Sequence, residues 1–445
     1  MAGEWEETTL GAEVDLITGF PFKSEHYTES NESIRLVRGD NIVQGAMRWE
    51  SVKKWPLSQC TEHELFQLRE GDVVLAMDRP RIEAGLKYSA ISKYDLPCLL
   101  VQRTARLRGG RRLDNGYLRY LVGSHEFTQH IHAITTGTAV PHISGKQIKD
   151  FAFTLPPLAE QKAIASVLGA LDDKIELNRR MNATLEAMAR ALFQSWFVDF
   201  DPVRAKLDGR PPAGLDPATA ALFPDSFQES PLGPVPRGWE VCSLADKIEL
   251  LGGGTPKTSE PAYWDGDIPW YSVRDAPSEA DVWVIHTEKH ITKDGVTNSA
   301  AQILREGTTT IISARGTVGK LALIGTPMAM NQSCYGVRGI SGYGDFFTYF
   351  ALRQATADLQ QRTHGTVFDT ITRQTFETLD CTFPPANLTA AFDRTVAPLL
   401  AQIRANLYQS RTLATLRDTL LPKLLSGELK VNGVRAEGVA DRMSA

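Results

Sequence analysis

The chain has few cysteines and no two of them close together. Cys60, Cys98, Cys242, Cys334 and Cys381 are odd in number and widely scattered, so neither a disulfide framework nor a zinc-binding CxxC pair is expected. No apolar run approaches the roughly 18–20 residues a bilayer span requires, so no membrane partner is expected. The opening MAGEWEETTLGAEVDL is acidic and lacks the apolar centre of a secretory leader. Together these absences read as a reduced, cytoplasmic protein. Excess positive charge is missing too. The net charge is −5 and the pI about 6.0, which counts against the basic footprint of a nucleic-acid binder. Net charge is a weak test over 445 residues, because local patches carry the field. One such patch is QRTARLRGGRR, with Arg103, Arg106, Arg108, Arg111 and Arg112. Alone it reads as a solvated hairpin turning at Gly109-Gly110.

Catalytic signatures are also missing. SARGTVGKLA, Ser313 to Ala322, approaches a phosphate loop, but Ala314 replaces its first glycine and Leu321 its magnesium-binding Ser/Thr. HTEKH spaces His286 and His290 four apart, yet the glutamate is not next to the first histidine and the neighbouring DVWVI reads as strand. Glu428-Leu429-Lys430 spells ExK without an acidic partner upstream, and Ser144 in ISGK lacks the GxSxG elbow. There is no Asn/Asp-Pro-Pro-Tyr segment and no GxGxxG. No catalytic residue, metal or cofactor is expected in this chain.

What is present is a repeat. TTGTAVPHISGKQIKDFAFTLPPLAEQ from Thr135 is answered by THGTVFDTITRQTFETLDCTFPP from Thr363, a shift of 228. EWEETTLGAEVDLITG near Trp5 is answered near Trp239 at a shift of 234, and LREGDVVLAMDRP from Leu68 by LREGTTTIISARG from Leu304 at 236. A drifting offset of this size is a duplicated domain with unequal loops, not a solenoid. Each copy mixes short β-rich runs (GDVVLAM, TTTIISA) with helical patches before its glycine-threonine turn, so each reads as α+β.

After Pro156-Pro157 and Pro384-Pro385 the pattern becomes a long helix, the prolines pre-setting its first turn. Apolar residues alternate in steps of four and three along Leu168, Leu171, Ile175, Leu185 and Leu192, and along Val396, Leu399, Ile403, Leu413 and Leu420. Asn178 and Asn406 coincide within this pattern, and a polar seam residue fixes register at some cost in stability. At 1.5 Å per residue each helix is about 60 Å long, hard to hide in an α+β domain. An antiparallel coiled coil between the two is therefore expected. The fold class follows: two tandem α+β domains separated by two long helices, with approximate two-fold symmetry. The boundaries are 1–155 for the first domain, 156–200 for its helix, 201–236 for a connector, 237–385 for the second domain, 386–430 for its helix and 431–445 for a tail. Phe197, Phe200, Phe223 and Phe227 suggest that the Pro/Gly-rich connector docks.

LPPLAEQKAIASVLGALDDKIELNRRMNATLEAMARALFQSWFVDFDPV, Leu155 to Val203, with the duplicated domain and the second double-proline helix, resembles the specificity subunit of Type I restriction-modification systems. GGGTPKTSEPAYWDGDIPWYSVRD, ISARGTVGK and MNQSCYGV are similar to the recognition domains of that family. The first copy departs more, with TGFPFKS and MDRPRIEAG, and the second helix has Asn387-Leu388-Thr389 in place of a start like Glu160-Gln161.

The resemblance implies a non-catalytic reader of double-stranded DNA, each domain reading one half of a bipartite, asymmetric target. The paired helices would act as a spacer and hold two methyltransferase subunits, with restriction subunits joining in the full complex. S-adenosylmethionine, ATP and magnesium would sit on those partners. Reading base edges needs Arg, Lys, Asn and Gln on loops. The candidates are Lys23, Arg38, Asn41, Arg79, Arg81, Gln102, Arg103 and Lys146 in the first domain. In the second they are Thr255, Pro256, Lys257, Tyr263, Trp264, Trp270, Arg315, Lys320, Asn331 and Gln332. Gly137-Thr138 and Gly365-Thr366 either touch phosphate through backbone N–H groups or only aim the next strand. The competing reading is a coiled-coil scaffold whose α+β domains bind protein; a lone nuclease or methyltransferase is a third.

Overall fold

The computed structural model describes residues 5–82, 85–135, 141–305, 307, 309–362 and 370–431. Both glycine-threonine turns, Gly137-Thr138 and Gly365-Thr366, lie outside them. The chain forms two compact units, Met1–Asp173 with Leu413–Ala445, and Lys174–Thr412.

In the first unit, strand Val73–Ala76 lies between Tyr88–Ala90 and Thr104–Gly109, with Val14–Thr18 outermost, all antiparallel. A second sheet pairs Ser33–Val37 in parallel with Cys98–Leu100 and antiparallel with Lys54–Pro56. Glu6–Thr9 pairs with Ala152–Leu155, Glu6 opposite Leu155, and so closes the domain. The second unit repeats each device. Thr310–Ser313 lies between Cys334–Gly339 and Leu321–Ile324, flanked by Ile248–Gly252 and Trp283–Val284. Trp264–Tyr271 pairs with Lys289–Ile291 and Ala329–Met330. Glu240–Ser243 pairs with Asp380–Phe383, Glu240 opposite Phe383, the same rungs shifted by the repeat.

The repeated punctuation has a local cause. In ISGKQIK, Ser144 and Gln147 make a capping box that starts the turn Gly145–Lys149, and in ITRQTFE, Thr372 and Thr375 do the same for Arg373–Glu377. A closing strand follows each, then the proline pair, then helix Leu158–Phe193 or Ala386–Leu425.

These helices are not bodies separate from the domains, as the boundaries expected from sequence would have them. Their apolar ends enter the domain cores, because burying a Leu or Phe contributes about 1.5–3 kcal/mol. In the first unit, Ile164, Leu168 and Leu424 pack with Leu10, Tyr117 and Phe127. In the second, Phe193, Trp196, Val396, Leu400 and Ile403 pack with Trp239, Phe347 and Phe350. Leu185, Leu192 and Leu399 cover the second core and Leu420 the first. The expected apolar seam therefore needs correction: Leu171, Ile175 and Leu413 are half-buried and lie outside the buried clusters, and Leu400, not Leu399, is fully inside.

Between those ends the helices meet through polar groups. In the second unit, Asn178 donates from Nδ2 to Ser410 Oγ at 3.1 Å and Gln409 Oε1 at 2.9 Å, and Asn406 donates to Asn182 Oδ1 at 2.9 Å; further on, at the apolar end, Phe193 meets Phe392 at 5.8 Å between rings. Numbers rise along one helix as they fall along the other, so the pairing is antiparallel. In the first unit, Asp172 accepts from Arg417 at 2.7 Å and also binds Arg119 and Tyr120. The connector docks: Phe223 is buried against Trp196, and Phe200 lies 5.5 Å from Trp239. No helix among the described residues is long and apolar enough to cross a membrane.

Candidate nucleic-acid interface

Three loops of each domain come from equivalent places in the repeat. The first is the hairpin leaving the central strand. In the second domain SARGTVGK joins two antiparallel strands instead of opening a helix, which removes its likeness to a phosphate loop. Ser313 ties the hairpin base: its Oγ donates to the Thr317 carbonyl at 2.6 Å and accepts from Lys320 N at 2.8 Å. Gly316 and Gly319 take positive φ, 79° and 83°, and Arg315 and Lys320 are left exposed. The first domain places Arg79, 236 residues earlier, at the same point. It too is exposed, at φ 45°, with its N–H on the Pro141 carbonyl at 2.8 Å.

The second loop ends a strand of the smaller sheet. Arg274 lies in the turn Val273–Asp275, which Ser272 and Asp275 hold with a capping box. Arg38, again 236 residues earlier, follows strand Ser33–Val37, its N–H held by Asn41 Oδ1 at 3.1 Å. The third loop carries Gln102 or Gln332, a shift of 230, both exposed between two strands. Backbone crowding fixes it: a Cβ on Gly19 would collide with the Val101 carbonyl, and one on Gly253 with the Asn331 carbonyl.

In the second domain these loops border a cleft of about 470 Å³, lined by Arg274, Lys289, Arg315, Asn331, Glu288 and Trp270 among others. Three cations face one carboxylate. In the first domain, burial lowers the pKa of the Lys87 ammonium; Asp40 opposes this, while Arg48 and Arg79 act in the same direction as burial. Arg48 donates to the Asp40 carbonyl at 3.0 Å, and Arg38 lies 3.7 Å from the Asp40 carboxylate. Both sites can offer guanidinium forks and amides to base edges and phosphates.

The other candidates separate by burial. Asn41 and Pro256 are corrections, both being buried; Trp270 is largely buried as well, though it lines the cleft. Asn41 holds its own loop, donating to the Arg48 carbonyl at 3.1 Å. The Trp270 indole donates to the Gly254 carbonyl at 2.9 Å, so the ring braces the loop that carries Lys257. Trp264 packs edge-on against Trp270 and donates to the Lys257 carbonyl at 3.3 Å. Thr255 bonds Gln332, and Tyr263 is half-buried in the turn Pro261–Tyr263. Lys23, Lys146 and Lys257 are exposed; Lys23 is 3.9 Å from Glu25 and Lys146 rides on the short capped helix. Arg81 meets His132 at 2.7 Å, and Arg103 meets Asp78 at 3.0 Å.

The arginine patch is not a solvated hairpin. Thr104–Gly109 is a strand inside the sheet, where Arg108 makes a two-point pair with buried Asp72 at 2.7 and 2.8 Å and Arg106 pairs with Asp15. Gln161 of the helix start also faces inward, bonding Asp114 N, the Arg112 carbonyl and the Pro156 carbonyl at 2.8 Å each. Sequence reasoning missed Arg274, Lys289, Arg48 and Lys87. Arg274 was within reach, since LVRGD and SVRD align at the shift of 236 that pairs Arg79 with Arg315.

Residues 3–187 and 236–389 each match the model of the Type I restriction modification DNA specificity domain. The chain belongs to that family. It is 27% identical over 357 residues to the Type I restriction enzyme HindI specificity subunit of Haemophilus influenzae, covering 70% of this chain and 77% of that one. It is 25% identical over 413 residues to the MjaIX specificity subunit of Methanocaldococcus jannaschii, covering 90% and 84%. The fold is similar to the Type-I restriction-modification system S subunit from M. genitalium, with a TM-score of 0.52 at 17% identity over 94% of this chain and 96% of that one. Each family region contains one of the two sets of equivalent loops, and the first runs on into helix Leu158–Phe193.

Proposed function

We propose that this chain is the non-catalytic DNA-specificity subunit of a Type I restriction-modification complex, its two domains reading the two halves of a bipartite, asymmetric target. The observation that carries this is the duplication of the loop set: Arg38, Arg79 and Gln102 stand where Arg274, Arg315 and Gln332 stand, while the residues around them differ. Equivalent positions with unlike neighbours suit two readers of unlike sequences. An arginine bidentate to guanine, or a glutamine to adenine, discriminates by about 1–3 kcal/mol per base pair.

In this reading the antiparallel helices set the spacing between half-sites, and their outer faces hold two methyltransferase subunits. Leu177 and Met188, about half exposed on the first helix, supply apolar surface for that docking. S-adenosylmethionine, ATP and magnesium belong to partner subunits, and the complex works in the cytoplasm. The test is a methylome of cells carrying the matching methyltransferase, with and without this gene. Loss of one bipartite methylated motif supports the reading; an unchanged methylome overturns it.

A further inference from the structure

The rungs that close the second domain hold two thiols face to face. Cys242 lies in strand Glu240–Ser243 and Cys381 in Asp380–Phe383, and they are direct partners across the antiparallel ladder. Directly opposed residues project to the same face of a ribbon. Two residues on, Leu244 N donates to the Leu379 carbonyl at 2.8 Å. Hydrogen-bonded and non-hydrogen-bonded pairs alternate, so the cysteine pair is also a hydrogen-bonded one, with Cα atoms about 5.5 Å apart. Disulfides favour a Cα separation of about 5.5–6 Å. Both side chains are half-buried on the edge of the second core, open to a small oxidant. Burial raises the Cys242 thiol too, but the other three cysteines are fully buried, and burial pushes the Cys98 and Cys334 thiols up to about 12. At the equivalent rung the first domain has Thr8 opposite Phe153.

We propose that Cys242 and Cys381 are a peroxide-sensitive dithiol whose oxidation covalently closes the second recognition domain and leaves the first unaffected. One thiolate attacks a peroxide oxygen, breaking the O–O bond and releasing hydroxide to leave a sulfenic acid. The second thiol attacks that sulfur; the S–S bond forms, the S–O bond breaks, and hydroxide leaves with the thiol proton as water. Overall two thiols and one hydrogen peroxide give one disulfide and two waters. Cross-strand Cβ atoms stand about 4.5–5.5 Å apart, whereas a disulfide wants about 3.5–4.5 Å, so the closed form is strained and readily reduced. The bond is thus a reversible modification, not a permanent staple.

The test uses the full chain treated with hydrogen peroxide, alkylated and digested with trypsin. The expected product links the peptides Gly238–Lys247 and Gln374–Arg394, two hydrogens lighter than their sum, and dithiothreitol reverses it. Cys60, Cys98 and Cys334 should remain alkylatable only after denaturation. Unfolding in non-reducing buffer should shift to higher denaturant after oxidation, a shift absent in Cys242→Ser and in Cys381→Ser. Separate over-oxidation of the two cysteines to sulfinic acids, with no linked peptide from the wild-type chain, overturns the proposal. So does a linked peptide with no change in the unfolding midpoint.

Discussion

Asn178 and Asn406 occupy the same position of the repeat and touch each other: the Asn178 amide donates to the Asn406 main-chain carbonyl at 3.4 Å, both side chains being buried. An antiparallel pair of matched helices brings equivalent positions together only near its midpoint. The asparagines mark that point, and with Asn182, Gln409 and Ser410 they make the contact between the helices polar there.

Asn406→Ala therefore removes the donor to Asn182 and the acceptor for Gln402, which reaches it at 2.8 Å. The expected loss is about 1–3 kcal/mol, the desolvation cost of buried groups left without partners. Urea unfolding measures it, and Asn178→Ala with Asn406→Ala should cost less than the sum of the single changes.

Arg108→Ala leaves the Asp72 carboxylate buried without its two-point partner. A loss of about 3–5 kcal/mol in unfolding free energy is expected. Arg103→Ala, which removes an exposed partner of Asp78, should cost under about 1 kcal/mol in the same assay.

Arg79→Ala and Arg315→Ala should each weaken binding of the assembled complex to its target by about 10–100-fold, corresponding to 1–3 kcal/mol. Each should relax one half-site only, and the two variants should relax different halves. Methylation-site logos from the two mutant strains check this.

Burial pushes the Asp393 carboxyl up to about 6, and the Asp345 carboxyl to about 6 as well. A carboxyl with a raised folded pKa holds its proton more tightly in the native state than in the unfolded chain, so stability falls as pH rises from about 4 through 6. Asp393 accepts from Phe347 N at 2.8 Å, and Asn can keep that bond without the charge. Asp393→Asn should flatten this part of the curve, measured as the unfolding midpoint at several pH values against the wild type. An unchanged slope would count against a native-state proton on Asp393.

Much of the architecture was legible because a duplicated sequence carries its own alignment. The double prolines and the Asn178–Asn406 match could both be read from it. What escaped was set by distant parts of the chain. QRTARLRGG looks like free positive charge, but Asp15, Asp72 and Asp78, remote in sequence, neutralise three of its arginines. Pro256 looks like a member of a contact loop, yet packing turns it inward, and the indole of Trp270, which lines the cleft, is held to the Gly254 carbonyl as a brace of that loop. The helix seam was overextended because the heptad pattern cannot tell a partner helix from the core of the helix's own domain. Arg274 escaped because the repeat was not carried through the loop after Val273.

The central claim is that the domains read separate halves. Residues 237–385 can be exchanged for the second recognition domain of a related specificity subunit, and the methylome of the resulting strain sequenced. The account predicts that one half-site changes while the other half-site and the spacer length stay as they were. Change in both half-sites, or in the spacer alone, from a complex that still assembles and methylates would contradict it.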